Sequence, residues 1–292
     1  MKDFNSLFKE YTCKLNDTQV KDAVSKLLTE KAAANHTKEV YKTCFNLIDL
    51  TSLNTADKVA TIETMVDKVN AFPKSYPEMP NVAAICVYPN FAVTVKNCLQ
   101  LPVGIAAVSA GFPSSQTFIE VKVAETAMAV LDGATEIDVV ISVGKFLEEN
   151  YEEMYEELME LKAACRESHL KVILETGALV TAENIKKASI IAMVAGADFI
   201  KTSTGKMAPA ATLEAAYVMC GAIKEFHKKT GQKVGFKPAG GIVTTEDAIG
   251  YYTIVKEILG DEWLNNKLFR FGASRLANNL LTDIYDHTVS YF

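Results

Sequence analysis

Paired cysteines, clustered histidines, basic runs and long apolar stretches are what this chain does without. Its six cysteines, at 13, 44, 86, 98, 165 and 220, form no CxxC pair and no ladder of regular spacings. That excludes a zinc ribbon and a disulfide framework; four of the six lie in apolar or amphipathic runs, as reduced core residues of a cytoplasmic protein do. The four histidines are scattered, with no HxH or HExxH arrangement, so no metal site is expected. With 30 basic against 36 acidic residues the net charge is −6, and no basic stretch dominates. Nucleic acid and anionic membranes are therefore not expected partners, and any phosphate must be held by a few local groups. No apolar stretch reaches the length of a membrane span without a charge or a breaker. The opening MKDFNSLFKEYTCKLND carries charges where a secretory signal needs a continuous apolar segment.

What is present is a regular alternation. Eight apolar runs read as strands: 44–50, 83–88, 103–110, 136–141, 170–176, 197–202, 233–238 and 268–273. Helical patterns separate them, over 147–167, 181–195, 212–229 and 245–259, with TTED (244–247) as an N-terminal capping box. In 147–167 the positions Leu147, Tyr151, Met154, Leu158, Leu161 and Cys165 form one apolar stripe, and the glutamates opposite are a solvated face. The proline-rich loop 71–81 reads as a helix-to-strand connection. The fold class is α/β: a (β/α)8 TIM barrel over 44–292, preceded by a helical extension over 1–43 that caps the barrel or packs beside it. A doubly wound open sheet fits less well, because DLTSLN after the first strand lacks the glycines of a dinucleotide site.

In such a barrel the chemistry stands at the C-terminal ends of the strands. Asp49, Asp138, Glu175, Lys201 and Lys237 fall there, each embedded in apolar sequence. Strand alternation puts Lys201 on the face of Phe199, Lys237 with Gly235, and Asp138 with Glu136 and Val140. If Lys201 and Lys237 both point inward, they are neighbours about 4.8 Å apart. Like charges so close in a desolvated site pull a lysine well below its free pKa of about 10.4. An amine freed in that way attacks a carbonyl to form a Schiff base, with Asp138 placed to move the protons. A buried lysine–aspartate pair that merely packs the barrel is the plainer alternative. A second group of residues suits phosphate. STGK (203–206), KPAGG (237–241) and FGAS (271–274) put small or hydroxyl residues just beyond three consecutive strands, where backbone N–H groups and helix N-termini hold anions. Ser274 is expected to cap the last helix and to bond the same anion.

The segments LIDLT, AAICVYP, EIDVV, KVILETG, DFIKTSTGK, GFKPAGG and FRFGAS resemble, in this order, the deoxyribose-phosphate aldolase family, over nearly all of the chain from residue 44 onward. The resemblance implies a class I aldolase that reversibly cleaves 2-deoxy-D-ribose 5-phosphate to D-glyceraldehyde 3-phosphate and acetaldehyde in cytoplasmic deoxynucleotide catabolism. It implies no metal and no organic cofactor, small-molecule substrates as partners, and is compatible with a homodimer. By that likeness Lys201 is the Schiff-base lysine, Lys237 the cation that lowers its pKa, and Asp138 the proton relay. Gly205, Lys206, Gly240, Gly241 and Ser274 would hold the phosphate, with Asp49, Thr51, Lys171, Glu175, Thr202 and Tyr291 around them. Two departures stand out. Many relatives carry a second hydroxyl residue after the serine of FGAS, where this chain has Arg275, read here as an outward helix residue. Some relatives end on a tyrosine that reaches the site, whereas Tyr291 here is followed by Phe292. Another phosphosugar aldolase or an isomerase on the same barrel, or a sugar-phosphate-binding protein without catalysis, are the competing readings.

Overall fold

The computed structural model describes residues 3–292. Each expected strand is present and shorter than its apolar run: β1 Ile48–Thr51, β2 Ala84–Val87, β3 Gly104–Ser109, β4 Glu136–Val140, β5 His169–Ile173, β6 Phe199–Lys201, β7 Gly235–Lys237 and β8 Phe271–Ala273. All are parallel, in the order β7-β6-β5-β4-β3-β2-β1-β8. Isolated bridges Phe236↔Phe269 and Ala239↔Gly272 join the two ends. There the Phe236 N–H donates to the Leu268 carbonyl at 2.9 Å and the Arg270 N–H to the Phe236 carbonyl at 3.0 Å. The sheet is thus a ring, not an open doubly wound sheet. Parallel strands buried on both faces require apolar residues at nearly every position, which is why the runs stood out.

Helices between the strands cover the ring. Thr181, Thr212 and Thr244 each accept a hydrogen bond from the backbone N–H three residues on, and Thr244 with Asp247 completes the expected capping box. Two expectations need correction. Cys44–Asn46 do not open β1 but end the helix Lys38–Asn46, where Cys44 and Phe45 recur one turn after the half-buried Val40 and Tyr41. The helix expected over 147–167 is two, Val143–Leu147 and Tyr151–Cys165. Glu149 turns the chain between them with φ of 60°, Phe146 takes the core position, and Leu147 is left exposed. At the N-terminus, helix Asp17–Lys31 packs beside the barrel against Leu213–Thr230 and Thr245–Leu259, and Lys38–Asn46 packs against Arg275–Tyr285. Among the described residues no helix is long and apolar enough to cross a membrane.

Side chains on the outer face of the strands, such as Ile48, Ile137, Val172, Ile200 and Phe236, join one apolar layer with the helices. The inside of the ring is divided. Ala84 and Cys86 of β2 with Ala106 and Val108 of β3 form a small apolar cluster. β1, β4, β5, β6 and β7, with Arg270 just before β8, bring charge inward.

Candidate active site

Lys201 closes β6 and Lys237 closes β7, and the two are paired in register. Both are buried. A carboxylate stands between them: Asp138 Oδ2 accepts from Lys201 Nζ at 2.7 Å and from Lys237 Nζ at 2.7 Å. The lysines then differ in one respect. Lys237 Nζ also sits 2.5 Å from Asp49 Oδ2, whereas Lys201 is paired with Asp138 alone. Burial lowers the pKa of each amine. For Lys201 burial and the Lys237 charge together exceed the pull of Asp138, and the pKa falls below the ordinary lysine value. For Lys237 the two carboxylates outweigh burial, and the pKa rises. Asp138 is desolvated, which raises a carboxyl pKa, but Lys201, Lys237 and Lys171 more than reverse this and hold it ionised. Its second oxygen, Oδ1, has no hydrogen-bond partner among the described residues.

Beneath this trio lies a further ionic layer. Lys171 Nζ donates to Asp49 Oδ2 at 3.1 Å and to Glu136. Arg270 donates to Asp49 Oδ1 at 2.6 Å and forks onto Glu136 at 2.8 and 3.1 Å. The ring of Phe199 lies under the cations, with Lys171 Nζ 5.7 Å and the Arg270 guanidinium carbon 5.8 Å from its centroid. It fits because β7 offers a glycine there: a Cβ on Gly235 would come within 2.3 Å of the ring. Glu136 and Arg270 were not among the residues singled out from the sequence. The available signal was alternation in LFRFGA, which puts Arg270 on the same face as Gly272 and so inside the ring.

Above Lys201 opens a cavity of about 220 Å³ bounded by Thr51, Leu53, Thr204, Lys206, the 239–243 loop and Ser274. Of the buried basic groups in the ring, Lys201 alone borders it. Its wall is held by side chains from the strand ends. Glu175, in a left-handed conformation with φ of 54°, accepts from the Thr204 N–H at 3.2 Å and the Thr204 hydroxyl at 2.6 Å. Thr202 Oγ1 accepts from the Ala239 N–H at 3.0 Å, and the Ser203 hydroxyl donates to the Ala239 carbonyl at 2.8 Å. The Thr51 hydroxyl donates to the Asp49 carbonyl at 2.7 Å. The Lys206 ammonium donates to the Leu53 carbonyl, tying the β6 loop to the β1 loop.

Gly205, Gly240 and Gly241 have φ of 74°, 89° and 81°, and a Cβ on Gly240 would lie 2.9 Å from Gly205 Cα. Only glycines let these two loops approach so closely. The N–H groups of Gly205, Gly240, Gly241 and Ser274 find no hydrogen-bond partner among the described residues. Free backbone donors around a cavity with a lysine at its rim form an anion cradle. Ser274 occupies the N-cap position of helix Arg275–Tyr285 without the expected capping bond, so its hydroxyl is not committed to the helix. Arg275 is exposed, as a helix-surface residue is, but it also lines the cavity, unlike the outward position expected. Tyr291 does not line it: its hydroxyl donates to the Lys68 carbonyl at 2.8 Å and its ring packs on Phe72 and Tyr76. Among the described residues no three His, Cys, Asp or Glu side chains are grouped as metal ligands.

Residues 43–251 match the DeoC/LacD family aldolase pattern. A human protein named deoxyribose-phosphate aldolase is 43% identical over 257 residues, covering 84% of this chain and 80% of its own. Its mouse counterpart of the same name is 42% identical over 261 residues, covering 84% and 80%. The tetrameric deoxyribose phosphate aldolase of Aeropyrum pernix shares the fold, with a TM-score of 0.65 at 21% identity over 90% of this chain and 97% of that one.

Proposed function

The chain belongs to the DeoC/LacD family of aldolases, and from that premise we propose a class I mechanism in which it reversibly cleaves 2-deoxy-D-ribose 5-phosphate through a Schiff base on Lys201. One observation carries the assignment of the nucleophile. Lys201 is the buried amine that borders the cavity, and its pKa is the lowered one.

The unprotonated Lys201 nitrogen attacks C1 of the open-chain sugar, and the carbinolamine loses water to give an iminium. Loss of the C3 hydroxyl proton then breaks the C2–C3 bond. The bonding pair flows into the iminium, leaving an enamine on Lys201 and releasing D-glyceraldehyde 3-phosphate. Protonation at C2 and hydrolysis by water free acetaldehyde and restore the amine. Asp138, 2.7 Å from Lys201, carries protons between these steps. Held strongly acidic by its neighbours, it keeps a proton only briefly, as a relay must. Lys237 contributes charge and not nucleophilicity, since its raised pKa keeps it protonated. The phosphate, on C5 and four carbons along the substrate from the reacting C1, is assigned to the free N–H groups of Gly205, Gly240, Gly241 and Ser274 with Lys206 and Arg275 at the rim. Binding energy from that remote group orients C1 on Lys201. No step needs a metal, because the iminium is the electron sink.

Cytoplasmic residence agrees with six free cysteines, five of them buried. A homodimer is the assembly we assign, with Val121, Met128 and Leu131 of helix Ile119–Leu131 exposed as an apolar strip. The reaction is tested by supplying 2-deoxyribose 5-phosphate and following acetaldehyde with alcohol dehydrogenase and NADH. Acetaldehyde and glyceraldehyde 3-phosphate should appear in equal amounts. A sugar phosphate of unchanged mass, with no acetaldehyde, would mean an isomerase instead.

A further inference from the structure

The ionic layer beneath the reacting lysine has a composition that bears on the protonation of Lys201. Its acids are Asp49, Glu136 and Asp138, and its bases are Lys171, Lys201, Lys237 and Arg270, all buried. They form one connected cluster. Arg270 and Lys171 join Asp49 to Glu136, Lys237 joins Asp49 to Asp138, and Lys201 hangs from Asp138 at the cavity end. The other strands facing it add no charge. β2 brings Cys86, a buried thiol that burial keeps protonated, and β3 brings Ala106 and Val108. At the mouth Thr51 is neutral, Lys206 and Glu175 are engaged with Leu53 and Thr204, and the exposed Arg275 lines the cavity.

We propose that Arg270 and Glu136, which touch no substrate, are positioning residues that fix the charge of this cluster so that it is neutral only when Lys201 carries no proton. With every group ionised there are four positive charges against three negative, one proton too many for a desolvated site. Arginine does not release a proton. Lys171 has Asp49, Glu136 and, at 3.5 Å, Asp138, and Lys237 has Asp49 and Asp138, so each has at least two carboxylates to hold its charge. Lys201 has one, and it alone opens on the cavity through which a proton can leave. The directions of shift agree: Lys201 is lowered, whereas Lys171, Lys237 and Arg270 are raised. Lys237 is then one of three partners in this effect and not its sole author.

The inference rests on Lys201 being the Schiff-base lysine, and opposite charge changes separate it from simple damage to the site. The measurement is the rate of borohydride trapping with acetaldehyde against pH, with the modified lysine identified by peptide mass. Arg270→Met removes a positive charge, so Lys201 should keep its proton. The acidic midpoint should rise by about one pH unit, a roughly tenfold slower trapping below it. Glu136→Gln removes a negative charge and should move the midpoint the other way. The double variant removes one of each and should return close to the wild-type midpoint, and Arg270→Lys should hold it. Should Arg270→Met fail to fold with Glu136 left to Lys171 alone, Glu136→Gln and the double variant still decide the matter. Shifts of the same sign in both single variants, no shift in Glu136→Gln, or a double variant displaced from the wild type would overturn the proposal. Trapping of a lysine other than Lys201 in the wild type would sink the Schiff-base assignment as well, whereas trapping at Lys201 with unmoved midpoints would sink this inference alone.

Discussion

The floor of the barrel and its rim are built on opposite principles. On the floor nearly every polar atom is spent: the cations and carboxylates from β1, β4, β5, β6, β7 and the start of β8 satisfy one another away from water. At the rim the backbone is left unspent: side chains tie the loops together, while the N–H groups of glycines lining the cavity have no partner among the described residues. A saturated ionic floor sets reactivity, because changing one charge there changes the protonation of the rest. An unsaturated rim sets affinity, because its donors gain a partner only when an anion arrives.

That contrast can be broken most severely at the floor. Lys201→Ala should abolish trapping and lower kcat by at least about a thousandfold, since no other buried amine of the ring borders the cavity and Lys206 at its rim is engaged with the Leu53 carbonyl. The fold should survive it, because Asp138 retains Lys237 at 2.7 Å, and a melting temperature close to the wild type would show as much. Lys237→Leu comes next. It removes a cation whose charge lowers the Lys201 pKa, so the unprotonated fraction at neutral pH should drop and the rate with it, by about a hundredfold. Because only the unprotonated amine attacks, and that form prevails above its pKa, raising the pH should restore part of the activity. A pH–rate profile whose acidic limb stays in place would leave Lys237 as a binding residue only.

Rim changes should be smaller and should depend on the phosphate. Ser274→Ala is expected to lower kcat/KM for 2-deoxyribose 5-phosphate by about tenfold, one charge-assisted hydrogen bond, and to leave unphosphorylated deoxyribose nearly untouched. Equal losses on both sugars would remove these loops from phosphate binding. Arg275→Ser should cost less, a few-fold by the same reasoning, and again only for the phosphorylated sugar, since Arg275 lines the cavity from an exposed position. EDTA should change nothing at all, and activity that chelation removes and zinc restores would contradict an iminium electron sink.

The rim and floor also differ in how far they could be read in advance. Strand alternation offered Lys201, Lys237 and Asp138 as candidates for one inner face, because each lies in or at the end of an apolar run. Glycine-rich segments after consecutive strands marked the rim for the same local reason. Glu136 and Arg270 escaped because their meaning is not local. Glu136 begins β4 and Arg270 immediately precedes β8, and they meet only because ring closure brings β4 and β8 together across the lumen. Ser274 and Arg275 show the same limit in miniature. Their place at a helix start was legible, but whether the hydroxyl caps and where the arginine lies depend on the neighbouring loops. Leu147 was misplaced because a heptad-like stripe runs on through Glu148–Asn150, where the backbone turns at Glu149 with φ of 60°.

The most direct test is the identity of the covalently modified residue. Wild-type protein incubated with acetaldehyde and borohydride, then digested and mapped by mass, should carry a single ethyl group on Lys201. The modification should vanish in Lys201→Ala and in samples from which acetaldehyde is omitted. Labelling of Lys171, Lys206 or Lys237 with Lys201 untouched would contradict the assignment of the nucleophile and with it the division of labour between floor and rim.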